Sequence, residues 1–203
     1  MAQRNATIDD VGRIVTPWRG VEEAVLNVDG DVGRVGLPVA VAADRDEAAR
    51  IVELRVYFSS WPLTGGHAIR PPVLQQDPDA QVAGVVGRYQ RALATGDAAA
   101  AVAAFEPDAY VREPAGGTYV HRGHDQLRAL YERFFSNGGG IPLEHCAVID
   151  DGRACALEYN VVRWGKTELP PEAGVAVYVR GANGRLAAAR IYDDVSPPLS
   201  AAT

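Results

Sequence analysis

Arg50-Ile51-Val52-Glu53-Leu54-Arg55-Val56-Tyr57-Phe58-Ser59-Ser60-Trp61-Pro62 is echoed by Arg185-Leu186-Ala187-Ala188-Ala189-Arg190-Ile191-Tyr192-Asp193-Asp194-Val195-Ser196-Pro197. The two Arg-apolar starts, the two Arg-apolar-Tyr triplets and the two prolines hold the same spacing, at an offset of 135 residues from 50 to 185. That offset is the length of a small domain, and self-similarity at such a distance marks duplication. Apolar runs opened by glycine, Gly36 to Val41 and Gly174 to Val179, precede the two copies. The chain thus reads as one complete domain preceded by the back end of a second copy.

Working outward, residues 65–78 read as a linker, punctuated by Gly65-Gly66 and Pro71-Pro72. Residues 1–64 form the partial repeat and residues 79–203 the complete domain. In the complete domain, Asp77-Pro78-Asp79 offers caps for a helix whose face is Val82, Val85, Val86, Tyr89 and Leu93. Gly96-Asp97 ends it and starts an alanine-rich helix reaching about Phe105. A short strand, Tyr110 to Glu113, and a loop lead to a third helix from about His124 to Phe135, stopped by Gly138-Gly139-Gly140. Strands follow at 143–149, 154–163, 175–179 and 186–192. Three helices with a short strand, then an antiparallel meander, predict an α+β domain.

The Asp151-Gly152 pair predicts a two-residue hairpin turn, placing Asp150 opposite Arg153 and Cys146 opposite Leu157. The two cysteines then act as small core residues. In this hairpin Ala147, Ile149, Ala154 and Ala156 share one face, and Cys146, Val148, Cys155 and Leu157 the other. Neither face is polar, although an antiparallel sheet usually solvates one side. The helices cover one face, so a second layer has to cover the other. Residues 1–64, with strand-like runs at 21–28, 39–43 and 51–58 and no helix, supply such a layer. A sheet fragment alone is not stable. Sheet-on-sheet packing follows, within the chain or on a partner subunit, and a homodimer through sheet faces is expected.

Composition sets the remaining bounds. A net charge of −6 without a basic stripe argues against nucleic-acid binding. No apolar stretch approaches the ~20 residues that cross a bilayer, and the first ten residues lack the apolar core of a secretion signal. A cytoplasmic protein with no membrane partner is expected. The four histidines and two cysteines are not at metal-ligand spacing, and no metal is expected.

Val85-Val86-Gly87-Arg88-Tyr89-Gln90-Arg91-Ala92-Leu93-Ala94-Thr95-Gly96-Asp97 resembles the opening helix of the NTF2-like superfamily, in its SnoaL-like and ketosteroid-isomerase-like branch. Phe105-Glu106-Pro107-Asp108-Ala109-Tyr110-Val111-Arg112-Glu113-Pro114, His121-Arg122-Gly123 and the closing Gly184-Arg185-Leu186 with Arg190-Ile191-Tyr192 extend the resemblance over about residues 79–198. It implies a curved sheet wrapped on three helices as a cone, with an apolar pocket at the open end. It leaves activity open, because the fold serves isomerases, polyketide cyclases, epoxide hydrolases and binders.

Resemblance also implies roles. Tyr89, on the apolar stripe, matches the tyrosine that donates to a substrate carbonyl oxygen in ketosteroid isomerases; a plain core tyrosine is the alternative. Glu113, sharing a face with Val111, matches the position of the catalytic base, where those isomerases carry aspartate; a solvated strand-end glutamate, or one paired with Arg112 or Arg122, is the alternative. Burial there raises a carboxyl pKa toward the range useful to a base. Ketosteroid isomerase, a worked example of a tyrosine plus protonated aspartate oxyanion hole, has that aspartate where this chain shows Val175 or Ala176, so steroid isomerisation is not expected. His145, opposite Glu158, with Asn160, Trp164 and Asp193 are candidate substrate-binding residues.

The leading expectation is cofactor-free acid/base chemistry next to a carbonyl (isomerisation, cyclisation or dehydration) on a small apolar substrate. The rivals are a non-catalytic ligand-binding or assembly domain and, behind it, an epoxide hydrolase.

Overall fold

A computed structural model describes residues 6–30 and 33–199. Two sheets are present. The first holds β1 (Ala6–Val15), β2 (Arg19–Gly30), β3 (Gly33–Arg45) and β4 (Ile51–Phe58) in chain order, all antiparallel. A single turn, α1 (Trp61–Thr64), follows, and residues 65–83 form neither helix nor strand. The second half contains α2 (Gly84–Thr95), α3 (Ala98–Ala103), β5 (Phe105–Arg112), β6 (Val120–Arg122) and α4 (Gly123–Phe134). It ends with β7 (Leu143–Asp150), β8 (Ala154–Trp164), β9 (Thr167–Arg180) and β10 (Leu186–Tyr192). Its six strands run β6-β5-β10-β9-β8-β7, with β5 parallel to β10.

The helices close the concave side of this second sheet. Val85, Val86, Tyr89 and Leu93 of α2 are buried against Phe105, Leu127, Tyr131, Leu157 and Tyr178. Gly96 caps α2 in the left-handed region at φ 76°. The glycine run does more than stop α4. A Cβ on Gly140 would lie 2.1 Å from the carbonyl oxygen of Leu93, so only glycine lets this loop run against the end of α2.

The strand pairings of the two sheets correspond at the same offset of 135 residues. Ile14 pairs with Val21 as Ile149 pairs with Ala156, and Val21 with Ala42 as Ala156 with Val177. Val41 pairs with Val56 as Ala176 pairs with Ile191. The bulge between Asp10 and Gly12 recurs between His145 and Ala147. All four strands of the first sheet therefore repeat β7 to β10 in one register. The glycine-led runs are not aligned as the sequence suggested: Val39, not Gly36, takes the place of Gly174.

The two sheets pack face to face within the chain. Ile14, Val21, Ala40, Ala42 and Tyr57 meet Ile149, Ala156, Val175, Val177 and Tyr192 in one apolar cluster, each residue facing a layer that contains its own repeat mate. Charged pairs follow the same exchange. Arg55 Nε donates to Glu158 at 2.7 Å and Tyr57 Oη at 2.6 Å. Reciprocally, Arg190 Nε and Tyr192 Oη each donate to Glu23 at 2.7 Å. Ser59 Oγ donates to Asp194, its own repeat mate, at 2.7 Å. This is the i-to-j, j-to-i pattern of a two-fold interface, folded into one polypeptide. The face a sheet-to-sheet homodimer would use on the second sheet is thus occupied. On the first sheet's outer face Val52, Leu54 and Val56 are exposed.

Three readings are corrected here. The β7–β8 turn is not a two-residue hairpin: Asp150 pairs with Cys155 and Val148 with Leu157, because Asp150 and Asp151 bond the backbone of a wider loop. Residues 6–15 form a strand despite Asp9-Asp10 and Arg13: residues 6–10 are exposed and held by their pairing with β2, and Ile14 is the buried position. Phe105 opens β5 instead of ending α3. Both cysteines are free and buried, and burial pushes their thiols up, to about 11 for Cys146 and about 12 for Cys155.

Candidate active site

At its open end the cone holds a cavity of about 260 Å³. Phe134, Trp164, Ile191 and Val195 form apolar walls, while Glu113, Arg133, Asp193 and His67 supply polar groups. Trp61 and Leu199 contribute from outside the cone. Below lies an inner void of about 70 Å³ bounded by Tyr89, Tyr159, Tyr178 and Leu93. Trp164, Ile191 and Asp193 border both spaces, which sets Asp193 at the neck.

Asp193 follows β10 and its alternation carries the carboxyl into the cone. Tyr159 Oη donates to it at 2.7 Å and the backbone N–H of Val195 at 3.3 Å. Burial pushes its pKa up to about 6, although the Tyr159 and Val195 donors pull the other way. A carboxyl poised there can accept a proton at neutral pH and give it back.

Tyr89 is fully packed, edge-on to Phe105 at 5.4 Å, and its Oη accepts from Tyr131 Oη at 3.0 Å. Burial pushes its pKa up to about 12, so it remains a donor. Glu113 lines the outer cavity as alternation from Val111 required, but it is held at the rim. His121 Nε2 lies 2.6 Å from Oε1 and Arg133 Nη2 donates at 2.9 Å. Tyr89 and Glu113 therefore border different spaces, and it is Asp193 that shares one with each. Trp164 presents its ring to both spaces, its Nε1 donating to the Phe134 carbonyl at 2.7 Å.

His145, Glu158 and Asn160 do not face the cone. The bulge at Cys146 pairs His145 with Tyr159 and leaves Glu158 opposite Ala147. Ala154, Ala156 and Glu158 of β8 look toward the first sheet, where Glu158 meets Arg55 and Tyr57. Asn160 Nδ2 donates to the Leu74 carbonyl at 3.1 Å, and His145 Nδ1 lies 3.1 Å from the Ala80 carbonyl. These two pin the 65–83 stretch to the sheet. Val175 lies between the sheets and Ala176 in the cone, with no donor at the third oxyanion position.

The sequence model of the SnoaL-like domain matches residues 86–189, half of the chain. The chain belongs to the SnoaL-like family. No curated protein matches it. Among solved structures, this SnoaL-like protein is similar to a putative polyketide cyclase from Sinorhizobium meliloti (20% identity, 53% of this chain and 92% of that one, TM-score 0.44). It is also similar to SalBIII, described as an epoxide hydrolase/cyclase-like enzyme in pyran ring formation in polyether salinomycin (18%, 56% and 90%, 0.47). A cystatin-fold protein from Novosphingobium aromaticivorans aligns comparably (17%, 53% and 93%, 0.46). No helix among the described residues is long and apolar enough to cross a membrane.

Proposed function

We propose that this SnoaL-like protein catalyses proton transfer next to a carbonyl on a small, mainly apolar substrate, with Asp193 as the base. The observation that carries the reading is a buried carboxyl at the neck of the cone, steadied by Tyr159 and raised to about 6. In an isomerisation, Asp193 takes the proton from the α carbon, the neighbouring π pair shifts, and the same carboxyl returns the proton at the γ carbon. Tyr89, bordering the inner void, is the donor to the carbonyl oxygen. Trp164, Phe134 and Ile191 hold the apolar body, and Glu113 with Arg133 forms the rim.

The probe is 3-cyclohexen-1-one, whose conversion to the conjugated enone is followed by absorbance. Asp193→Asn should lower kcat by at least about 100-fold, and wild-type turnover in that variant would overturn the assignment. Glu113→Gln, run alongside, separates the two carboxylates: a small change in KM is expected, and loss of kcat there alone would make Glu113 the base.

Tyr159→Phe tests the tuning. Deprotonated Asp193 is the active form, so kcat/KM rises with pH through about 6. Loss of a hydrogen bond to the charged carboxylate, worth roughly 1.5–3 kcal/mol, should move that rise upward by about one to two pH units. An unmoved profile would detach Tyr159 from the base.

A second reading, ligand binding without chemistry, has one observation in its favour. Tyr89, Phe105, Tyr131 and Tyr178 pack together and fill the bottom of the cone. Tight binding of 3-cyclohexen-1-one with no turnover would favour it.

A further inference from the structure

His67 belongs to the stretch joining the two halves, yet it lines the same outer cavity as Asp193. Its ring stacks on Trp61, centroids 4.9 Å apart and planes 30° apart. Its Nδ1 lies 3.1 Å from Asp194 Oδ1. The Asp194 side chain has no exposed surface, and it receives the hydroxyls of Ser59 and Ser60 and the backbone N–H of Ala68. Burial works against its charge, but these donors prevail and hold the carboxyl below its ordinary range. An ionised carboxylate only accepts, so the proton on the ring sits at Nδ1. Nε2 makes no hydrogen bond among the described residues.

Tyr89 borders the inner void, Asp193 the neck and His67 the outer cavity. A β-hydroxy ketone carries its reacting groups in the same order: carbonyl oxygen, α C–H, β hydroxyl. We infer that His67 is a second proton-transfer residue of this site, positioned by Asp194, and that the substrate class is a β-hydroxy carbonyl compound undergoing dehydration. This rests on the assignment of Asp193 as base. Asp193 takes the α proton, and that C–H pair becomes the new C=C bond. The C–O bond at the β carbon breaks, and its oxygen leaves as water with the proton from Nε2 of the imidazolium. Solvent then removes the proton from Asp193 and restores one to His67; the net change is substrate to enone plus water, with nothing oxidised or reduced.

The first half of the chain is essential to this arrangement. Ser59 and Ser60 at the end of β4 hold Asp194, and Trp61 in α1 holds the ring. The partial repeat thus completes the catalytic mouth as well as covering a sheet.

The test pairs two probes on the full chain: 4-hydroxy-4-phenylbutan-2-one, whose dehydration product absorbs strongly, and 3-cyclohexen-1-one, which has no leaving group. Asp193→Asn should abolish both reactions. His67→Gln should lower the ratio of dehydration to isomerisation about 100-fold. The charged groups around the ring are Asp194, Arg70 (3.9 Å from Asp194) and Glu172, on which the His67 charge acts, and Asp193, Glu113 and Arg133 line the same cavity. Nitrogen NMR of the neutral ring should show the proton on Nδ1, and Asp194→Asn should redistribute it. An Nε2–H form in the wild type, or a ratio indifferent to His67→Gln, would overturn the role of His67. Isomerisation without any dehydration would overturn the substrate class, and absence of both reactions would overturn the reading of Asp193 beneath it.

Discussion

Glu23→Ala should destabilise the protein by about 3–5 kcal/mol, the range for breaking a buried ion pair from one side. Glu23 is 1% exposed, and it neutralises an Arg190 side chain that is 9% exposed. Without it, Arg190 keeps one neutral partner, the Tyr110 hydroxyl at 3.1 Å. The repeat mate gives a built-in comparison. Glu158→Ala removes the corresponding carboxylate from Arg55, but Arg55 retains Asp44 at 3.1 Å and Glu53 at 3.0 Å. Its cost should be nearer to that of a single charged hydrogen bond, roughly 1.5–3 kcal/mol. Denaturant unfolding of the two variants measures the difference, and equal losses would mean that the reciprocal pairs are not energetically distinct. Glu23→Leu combined with Arg190→Met should regain much of the loss, since an apolar pair of similar volume leaves no charge unpaired.

The same reciprocity marks how far the sequence could be read. The repeated Arg-apolar-Tyr triplets were visible because strand β10 and its copy are chemically alike. Glu23 and Glu158 stand at the same offset, yet they sit in strands whose other residues have diverged, so nothing in the letters drew them together. Alternation correctly put Val111 toward the helices and Arg112 away from them, where it stacks on Tyr192. For β8 alternation gave two faces without saying which one the helices cover. Glu158 and Asn160 lie on the side away from the helices, against Arg55 and the Leu74 carbonyl. The bulge at Cys146 adds a second obstacle for His145, because one extra residue changes the cross-strand partner. Tyr159 was hidden between Glu158 and Asn160, the polar pair on the opposite face of the same strand. His67 was hidden for another reason: a linker has no periodicity, and its side chains acquire roles only when the segments on either side close.

Asp193→Asn should gain about 2–3 kcal/mol of stability at pH 7 while losing activity. Burial raises the Asp193 carboxyl to about 6, roughly two pH units above an ordinary aspartate. The sign follows from where the proton is held more tightly. The folded state binds it better than the unfolded chain, so this group favours folding fully below the unfolded value. That contribution is lost as pH climbs through about 6. At pH 7 the wild type keeps an ionised group in an apolar cone, and the amide avoids this while still accepting from Tyr159. At pH 4 the carboxyl is protonated when folded and the gain should largely disappear. Unfolding free energies of both proteins at the two pH values provide the measurement. A gain that did not depend on pH would mean a packing effect, and a loss at pH 7 would mean that the charged carboxylate is well solvated. The predicted result has the form of a stability–activity trade-off: the environment that makes Asp193 a usable base at neutral pH is the one that makes its ionised form costly to the fold.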